Sequence, residues 1–217
     1  MDFDAWEPFY LKILEDFGFS RARDEEAARL LSQLLRDSED YLEAAATRVR
    51  GKAVTVCGNA PSLEEELAGL EEKNTVFIAA DGAAAVLLRK KMVPAIIVTD
   101  LDGPFQEILD ANQYGSIVVV HAHGDNMDAQ RALVPRLRWV IGTAQCRPPD
   151  GIYNFGGFTD GDRCVFLAKA LGAASIKLVG FDFDDETVTP RKKKKLAWAK
   201  RLIDLALSSG PTSSLSV

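Results

Sequence analysis

The sequence has no apolar run approaching the roughly 18–20 residues that a helix needs to cross a bilayer, which argues against a membrane protein. It opens on the acidic Met1-Asp2-Phe3-Asp4, with no charged segment leading into an apolar one, so no secretory leader is expected. Cysteine is scarce: Cys57, Cys146 and Cys164 are odd in number and widely spaced. Such a set fits buried thiols in a reducing cytoplasm better than a disulfide framework. No C-x-x-C pair is present, so a zinc site on His121, His123, Asp125 and Cys146 lacks its usual closing spacing. An excess of positive charge is missing too. Lys plus Arg number 26 against 32 Asp plus Glu, a net charge of −6, which argues against a general nucleic-acid binder. There is no internal repeat and no G-x-x-x-x-G-K-[ST] phosphate loop.

What remains is a chain of 217 residues, 47% hydrophobic, too apolar to be largely disordered. Its length suits one main domain of roughly 100–200 residues plus a smaller addition. Residues 1–50 have no β-branched run and read as a helical region. Phe3, Trp6, Phe9, Tyr10 and Ile13 recur at helical spacing until Gly18. Asp24 is then expected to cap a second helix, with Glu25 and Glu26 in its first turn and Ala27, Leu30, Leu31, Leu34 and Leu35 as its apolar stripe. Trp6 and Phe9 suit either a homodimer contact or docking within the chain.

From Lys52 the texture changes. Strands are expected at 53–57, 75–80, 95–99, 116–120, 138–142 and 175–180, and helices at 63–70, 83–91, 105–112, 128–137, 163–171 and 191–207. Several strands are apolar throughout, as strands buried on both faces are. The alternation predicts an α/β fold: a mostly parallel open sheet with helices on both faces, preceded by an N-terminal helical appendage. The domain divides as residues 1–50, 51–207 and a loose Ser-rich tail, 208–217.

Open parallel sheets bind ligands beyond the carboxyl ends of their strands, and those ends carry most of the functional groups. They read Gly58-Asn59-Ala60-Pro61-Ser62, Asp81-Gly82, Asp100-Leu101-Asp102-Gly103, His121-Ala122-His123-Gly124-Asp125-Asn126, Gly142-Thr143-Ala144-Gln145, and Phe181-Asp182-Phe183-Asp184-Asp185. Carboxylates gathered at one edge repel unless a cation sits among them. All-oxygen ligands point to Mg²⁺, which takes carboxylates, water and phosphates together. Asp100 and Asp102, two apart on an extended segment, would share one face and one metal. Ser62 with Glu65 reads as a capping box, and the Gly58 turn either is purely structural or turns backbone N–H groups to a phosphate. Thr159 and Asp162 read as the cap of the following helix. In Arg191-Lys192-Lys193-Lys194-Lys195 one or two lysines are placed to reach a polyphosphate.

In order, these segments, with Asn154-Phe155-Gly156-Gly157-Phe158-Thr159-Asp160-Gly161-Asp162-Arg163, resemble the archaeal 6-hydroxymethyl-7,8-dihydropterin pyrophosphokinase family over nearly the whole chain. A more distant similarity is to the thiamine pyrophosphokinase catalytic domain, matched by Asp81, Asp100 with Asp102, and Asp125. That family usually reads Thr-Asp where this chain reads His-Gly-Asp-Asn. The resemblance implies transfer of diphosphate from ATP to a pterin alcohol, with release of AMP. It implies Mg²⁺ on Asp100, Asp102 and Asp125. Asp81, Asp125 and His123 would be catalytic, and Gly58, Asn59, Ser62, Lys192 and Lys195 would lie on the nucleotide. Asn154, Asp160 and Asp162 would bind the pterin edge. Two rival readings remain, a metal-dependent nucleotide-sugar glycosyltransferase using the Asp100-Leu101-Asp102 element and a non-catalytic nucleotide or metal sensor.

Overall fold

Helix α1 (Phe3–Phe17) starts where the Asp2 carboxylate accepts the Ala5 N–H at 2.8 Å, and stops at Gly18, whose φ of +68° lets its N–H return to the Leu14 carbonyl. The structure is a computed structural model, and it describes residues 2–35, 40–70 and 75–208. Helix α2 (Arg21–Leu35) begins earlier than expected. Ser20 rather than Asp24 takes the cap position, its Oγ accepting the Arg23 N–H at 3.4 Å. Asp24 lies inside the helix and is buried, because its carboxylate serves the tertiary structure. A third helix, α3 (Leu42–Val49), is additional to the two expected in this region. It is tied to the sheet by Arg48, which donates to the carbonyls of Ala95 (3.0 Å) and Gly115 (2.6 Å).

Seven strands follow among the described residues: β1 (Ala53–Cys57), β2 (Thr75–Ala80), β3 (Ile96–Thr99), β4 (Ile117–Ala122), β5 (Val140–Ala144), β6 (Ile152–Tyr153) and β7 (Ser175–Val179). They form one sheet in the order β6-β5-β4-β3-β2-β1-β7, parallel throughout. Strand β6 has no sequence signal, because two residues carry no periodicity. Strands β4 and β5 run two residues further than expected, which puts His121, Thr143 and Ala144 in the sheet. β3, β4 and β5 are buried along their whole lengths, whereas β7 alternates as an edge strand does.

Between the strands lie α4 (Leu63–Ala68), α5 (Ala83–Arg89), α6 (Phe105–Gln113), α7 (Met127–Leu133), α8 (Asp160–Ala170) and α9 (Pro190–Ser208). α7 is shorter than expected, since Pro135 turns residues Val134–Arg136 into a 3₁₀ segment. The first six strands march in one direction, so right-handed crossovers put their connecting helices on one face. The return from β6 to β7 runs the opposite way and lays α8 across β1, β2 and β3 on the other face. α2 lies on β4, β5 and β6. It comes close because Gly142 has no side chain: a Cβ there would meet the side chains of Ile152, Leu35 and Leu31 at 2.4–3.3 Å. The N-terminal helices therefore join the main core. Trp6 is fully buried in its own chain and donates Nε1–H to the Gln145 carbonyl at 2.9 Å, so docking within the chain accounts for it. The three cysteines are free and buried. Among the described residues no helix is long and apolar enough to cross a membrane. Of the expected tail, Ser208 ends α9, and 209–217 lie outside the described residues.

Candidate active site

The carboxyl ends of the strands open into a cavity of about 1130 Å³, walled by the start of α8, the α1–α2 corner and the first turns of α9. Asp81, Asp100, Asp102, His123, Asp125 and Asp160 all line it.

Asp100 closes β3. Its Oδ2 lies 3.4 Å from His123 Nε2, and its buried Oδ1 has no hydrogen-bond partner among the described residues. His123 Nδ1 accepts the Asp125 N–H at 3.3 Å, which leaves the ring proton on Nε2, facing Asp100. Asp102 is brought beside Asp100 by a turn and not by extended backbone. Leu101 between them has φ +70°, and its N–H bonds to Thr99 Oγ1 at 2.8 Å. The left-handed region is costly for a residue with a Cβ. Here it is held by that bond and by burial of the Leu101 side chain. Thr99 Oγ1 also donates to Asp81 Oδ1 at 2.6 Å, clamping the ends of β2 and β3 together. Gly103 makes room for this: a Cβ there would sit 1.7 Å from Asp81 Oδ2. Asn126 joins the ends of β3 and β4, its Nδ2 donating to the Asp100 and His121 carbonyls, both at 2.7 Å.

The clustering shows in the acidities. Burial by itself would raise the Asp100 pKa, but hydrogen bonds from His123 and Asp102, with Arg163 nearby, hold it below the usual carboxylate range. Asp102 is pushed up by burial and then by Asp100. The two therefore favour holding one proton between them, as adjacent carboxylates do. Burial also raises Asp81, against the Thr99 hydrogen bond. Asp160 is raised by burial and by Asp100, opposed by Arg163, whose Nη1 lies 3.3 Å away. Four carboxylates thus press on one another, with too little positive charge between them.

That imbalance bears on a metal. Among the described residues no three His, Cys, Asp or Glu side chains are grouped to enclose an ion alone. Mg²⁺ does not require it, since one or two carboxylates with water and phosphate oxygens suffice. The unpartnered Asp100 Oδ1 and the crowded Asp102 fit such an ion. The zinc set does not assemble. His121 is buried against Thr143 Oγ1 (3.2 Å), Cys146 is buried, and Asp125 stands at the rim, 3.9 Å from Arg23.

Not every residue singled out in the sequence reaches the cavity. Gly58, Asn59, Lys192 and Lys195 do, since positions 192 and 195 share a face of α9. Ser62 does not line it, and it makes no capping bond because its own backbone is already helical. Asn154 is turned to its neighbours, donating to the Ala144 carbonyl (2.8 Å) and accepting the Gly156 N–H (3.0 Å). The Asp162 carboxylate completes the α8 cap, accepting the N–H groups of Phe158 (2.6 Å) and Thr159 (2.7 Å) and the Thr159 hydroxyl. Gln145, at the end of β5, and Phe158, which the sequence offered with Phe155 to flank a flat ring, both line the cavity, whereas sequence reasoning gave no site role to Arg163, Arg23, Asp24 or the Phe19 ring. Only the fold brings these together; Arg163 alone had a local signal, three residues after Asp160 on a helix.

The model of the family described as 6-hydroxymethylpterin diphosphokinase MptE-like matches residues 26–187, which include Asp81, Asp100, Asp102, Asp125 and Asp160 but not Asp24. The chain belongs to that family. Three curated archaeal relatives, each called 6-hydroxymethyl-7,8-dihydropterin pyrophosphokinase, match it nearly end to end. The protein of Methanothermobacter thermautotrophicus is 46% identical, covering 94% of either chain. That of Pyrococcus furiosus is 40% identical, covering 97% of this chain and 96% of its own. That of Methanocaldococcus jannaschii is 38% identical, covering 94% and 95%. In this chain the Asp81, Asp100, Asp102 and Asp160 cluster is the feature to explain, since its mutual repulsion stabilises nothing by itself.

Proposed function

We propose that this protein transfers diphosphate from ATP to the hydroxymethyl group of 6-hydroxymethyl-7,8-dihydropterin and releases AMP. We place the reaction in the cytoplasm, in the biosynthesis of tetrahydromethanopterin or a related folate-like coenzyme. One observation carries the reading: a single cavity holds four crowded carboxylates together with Lys192 and Lys195, in a chain 38–46% identical to proteins named for this activity. Ligand pockets commonly measure about 300–1,000 Å³, so a cavity of about 1130 Å³ has room for two co-substrates at once.

The alcohol oxygen forms a bond to the β-phosphorus of ATP. The bond from that phosphorus to the oxygen bridging it to the α-phosphorus breaks, and AMP leaves with the electron pair. Such a transfer asks little covalent chemistry of the protein and depends on positioning and charge neutralisation. Mg²⁺, when bound, would neutralise polyphosphate charge, and Asp100 and Asp102, with Asp125 at the rim, are the residues to hold it. His123 orients Asp100 through its Nε2–H. Asp81 is the preferred acceptor for the alcohol proton, because burial raises its pKa and makes it a better base than an exposed carboxylate. Lys192 and Lys195 supply point charges to the phosphates. Asp160, mostly buried and paired with Arg163, faces the acceptor.

The test is AMP release from Mg²⁺-ATP with either the pterin alcohol or thiamine, followed by chromatography. AMP with the pterin alone, abolished by EDTA, is the expected result. AMP with thiamine alone would replace the acceptor, and no AMP with either would overturn the reading.

A further inference from the structure

The strand order lays the cavity out as a line along the sheet edge. At one end, beyond β4 and β5, stand Gly124 and Gln145 with Asp24 of α2. In the middle are the carboxylates of β2 and β3. At the other end, beyond β1 and β7, stand Gly58, Phe181 and Phe183, with Leu196 of α9. The two ends differ in chemistry.

Asp24 is 3% exposed and Gln145 4%. The Asp24 carboxylate accepts the Gly124 N–H on Oδ1, and the Tyr10 hydroxyl and Gln145 Nε2–H on Oδ2, each at 2.9 Å. Because the carboxylate only accepts there, the Gln145 amide has one possible orientation, with its Oε1 turned away from Asp24. That oxygen is buried and has no donor among the described residues, in a residue that lines the cavity. One lone pair of Asp24 Oδ1 is also unused. The two buried side chains here turn acceptors to the cavity, and the neighbouring cation, Arg23, donates to the Gly124 carbonyl at 2.7 Å. The opposite end has an aromatic and aliphatic wall, with the Phe181 and Phe183 rings 5.5 Å apart, beside the carboxylates of Asp182 and Asp185. Lys192 and Lys195 lie on the same helix as Leu196.

We propose that Gln145 and Asp24 form the subsite that reads the heterocycle of the acceptor alcohol, and that the nucleotide base lies at the Phe181 end. This rests on the diphosphate-transfer reading and assigns its two co-substrates to opposite ends of the cavity. A 2-amino-4-oxo pyrimidine ring presents two adjacent donors, the exocyclic amino group and the N3–H, which match Gln145 Oε1 and Asp24 Oδ1. A purine base suits an apolar wall, with its phosphates running past Lys192 and Lys195 to the central carboxylates. In-line displacement requires the nucleophile to approach from the side opposite the leaving AMP, which this arrangement provides. Gln145 and Asp24 thus take the role that the sequence suggested for Asn154 and Asp162, whose side chains are committed to backbone groups.

The wild-type protein is assayed with the pterin alcohol and with its analogue carrying hydrogen in place of the 2-amino group. We expect kcat/KM to fall by about tenfold or more for the analogue while the KM for ATP is unchanged. Gln145→Leu is expected to raise the pterin KM by about tenfold, keep the ATP KM within about twofold, and lose much of the discrimination between the two alcohols. Phe181→Ala is expected to do the reverse, raising the ATP KM and sparing the pterin KM. Equal turnover of the two alcohols by the wild type, full discrimination retained in Gln145→Leu, or a pterin-specific defect in Phe181→Ala would overturn the assignment. If Gln145→Leu does not fold, the wild-type comparison still decides. Pterin binding without ATP, followed by fluorescence for the two alcohols, is read separately from turnover. Binding that discriminates between them without AMP release would sink the diphosphate-transfer reading and leave the subsite standing.

Discussion

Asp100-Leu101-Asp102 closes strand β3 and Asp160-Gly161-Asp162 opens helix α8, two Asp-x-Asp segments at the mouth of one cavity. In the first, the left-handed Leu101 folds the backbone so that both carboxylates meet, and Asp100 keeps an oxygen without a partner among the described residues. In the second, residues two apart on a helix point about 200° apart. Asp160 therefore faces the cavity while Asp162 turns back onto the N–H groups of Phe158 and Thr159. The same spacing yields a pair poised for a cation in one place, and one functional acid plus one cap in the other. What separates them is whether the carboxylate oxygens are already satisfied by the chain's own donors.

The largest expected effect breaks the first segment. Asp100→Asn keeps the shape and can still accept from His123, so the fold should survive, yet turnover should fall by more than about 100-fold. AMP release and the melting temperature measured together check this; activity above about a tenth of wild type would remove Asp100 from the metal role. Mg²⁺ with ATP should also raise the melting temperature of the wild type and not of the variant, because only a ligand that binds the folded state stabilises it. The second segment should break differently. Asp162→Ala strands the buried Phe158 N–H and the half-buried Thr159 N–H and is expected to cost about 2–3 kcal/mol in denaturant unfolding. Activity per folded molecule should stay within about threefold of wild type, since Asp162 does not reach the cavity. A large activity loss with unchanged stability would reverse the roles given to the two segments.

The alternation of apolar strands and amphipathic helices made the parallel sheet legible, because strands buried on both faces announce themselves in sequence. The same reading put Asp81, Asp100, Asp102, His123 and Asp125 at one edge, since a strand's carboxyl end is a position in sequence as well as in space. It did not show how Asp102 meets Asp100, because φ +70° at a leucine has no sequence signature. Nor did it foresee Asp24, whose place before two glutamates looks like a cap while its partners lie 14, 100 and 121 residues away. Asn154 looked available for a ligand because its Gly156 partner is set only once the loop after it is folded, whereas Asp162 read both as a cap and as a ligand, and the structure keeps the cap. Local periodicity finds elements and edges; it does not find which polar groups are already used.

The lysine run permits a finer test of charge placement. Lys192 and Lys195 line the cavity, whereas Lys194 is drawn to Asp16 of α1, 3.7 Å away, and Lys193 is exposed. Lys195→Ala should raise the KM for ATP by about five- to tenfold, an effect of about 1 kcal/mol for a solvent-accessible charge. Lys193→Ala should leave it unchanged. Equal effects in steady-state kinetics would mean a diffuse field and no oriented pair.

The smallest expected effect concerns the turn itself. Leu101→Gly removes the cost of a left-handed residue, about 1 kcal/mol, and also removes a buried side chain, about 1.5–3 kcal/mol. The net should be a loss of about 1 kcal/mol in unfolding free energy. If backbone shape brings Asp100 and Asp102 together, turnover should stay above about half of wild type, because glycine adopts the same φ without strain. Leu101→Val is the sharper opposite, since a β-branched residue tolerates positive φ poorly. It should cost more activity than stability. If glycine instead proves as damaging to turnover as valine, the packed leucine side chain positions the carboxylates, and the turn's left-handed geometry is merely where that side chain ends up.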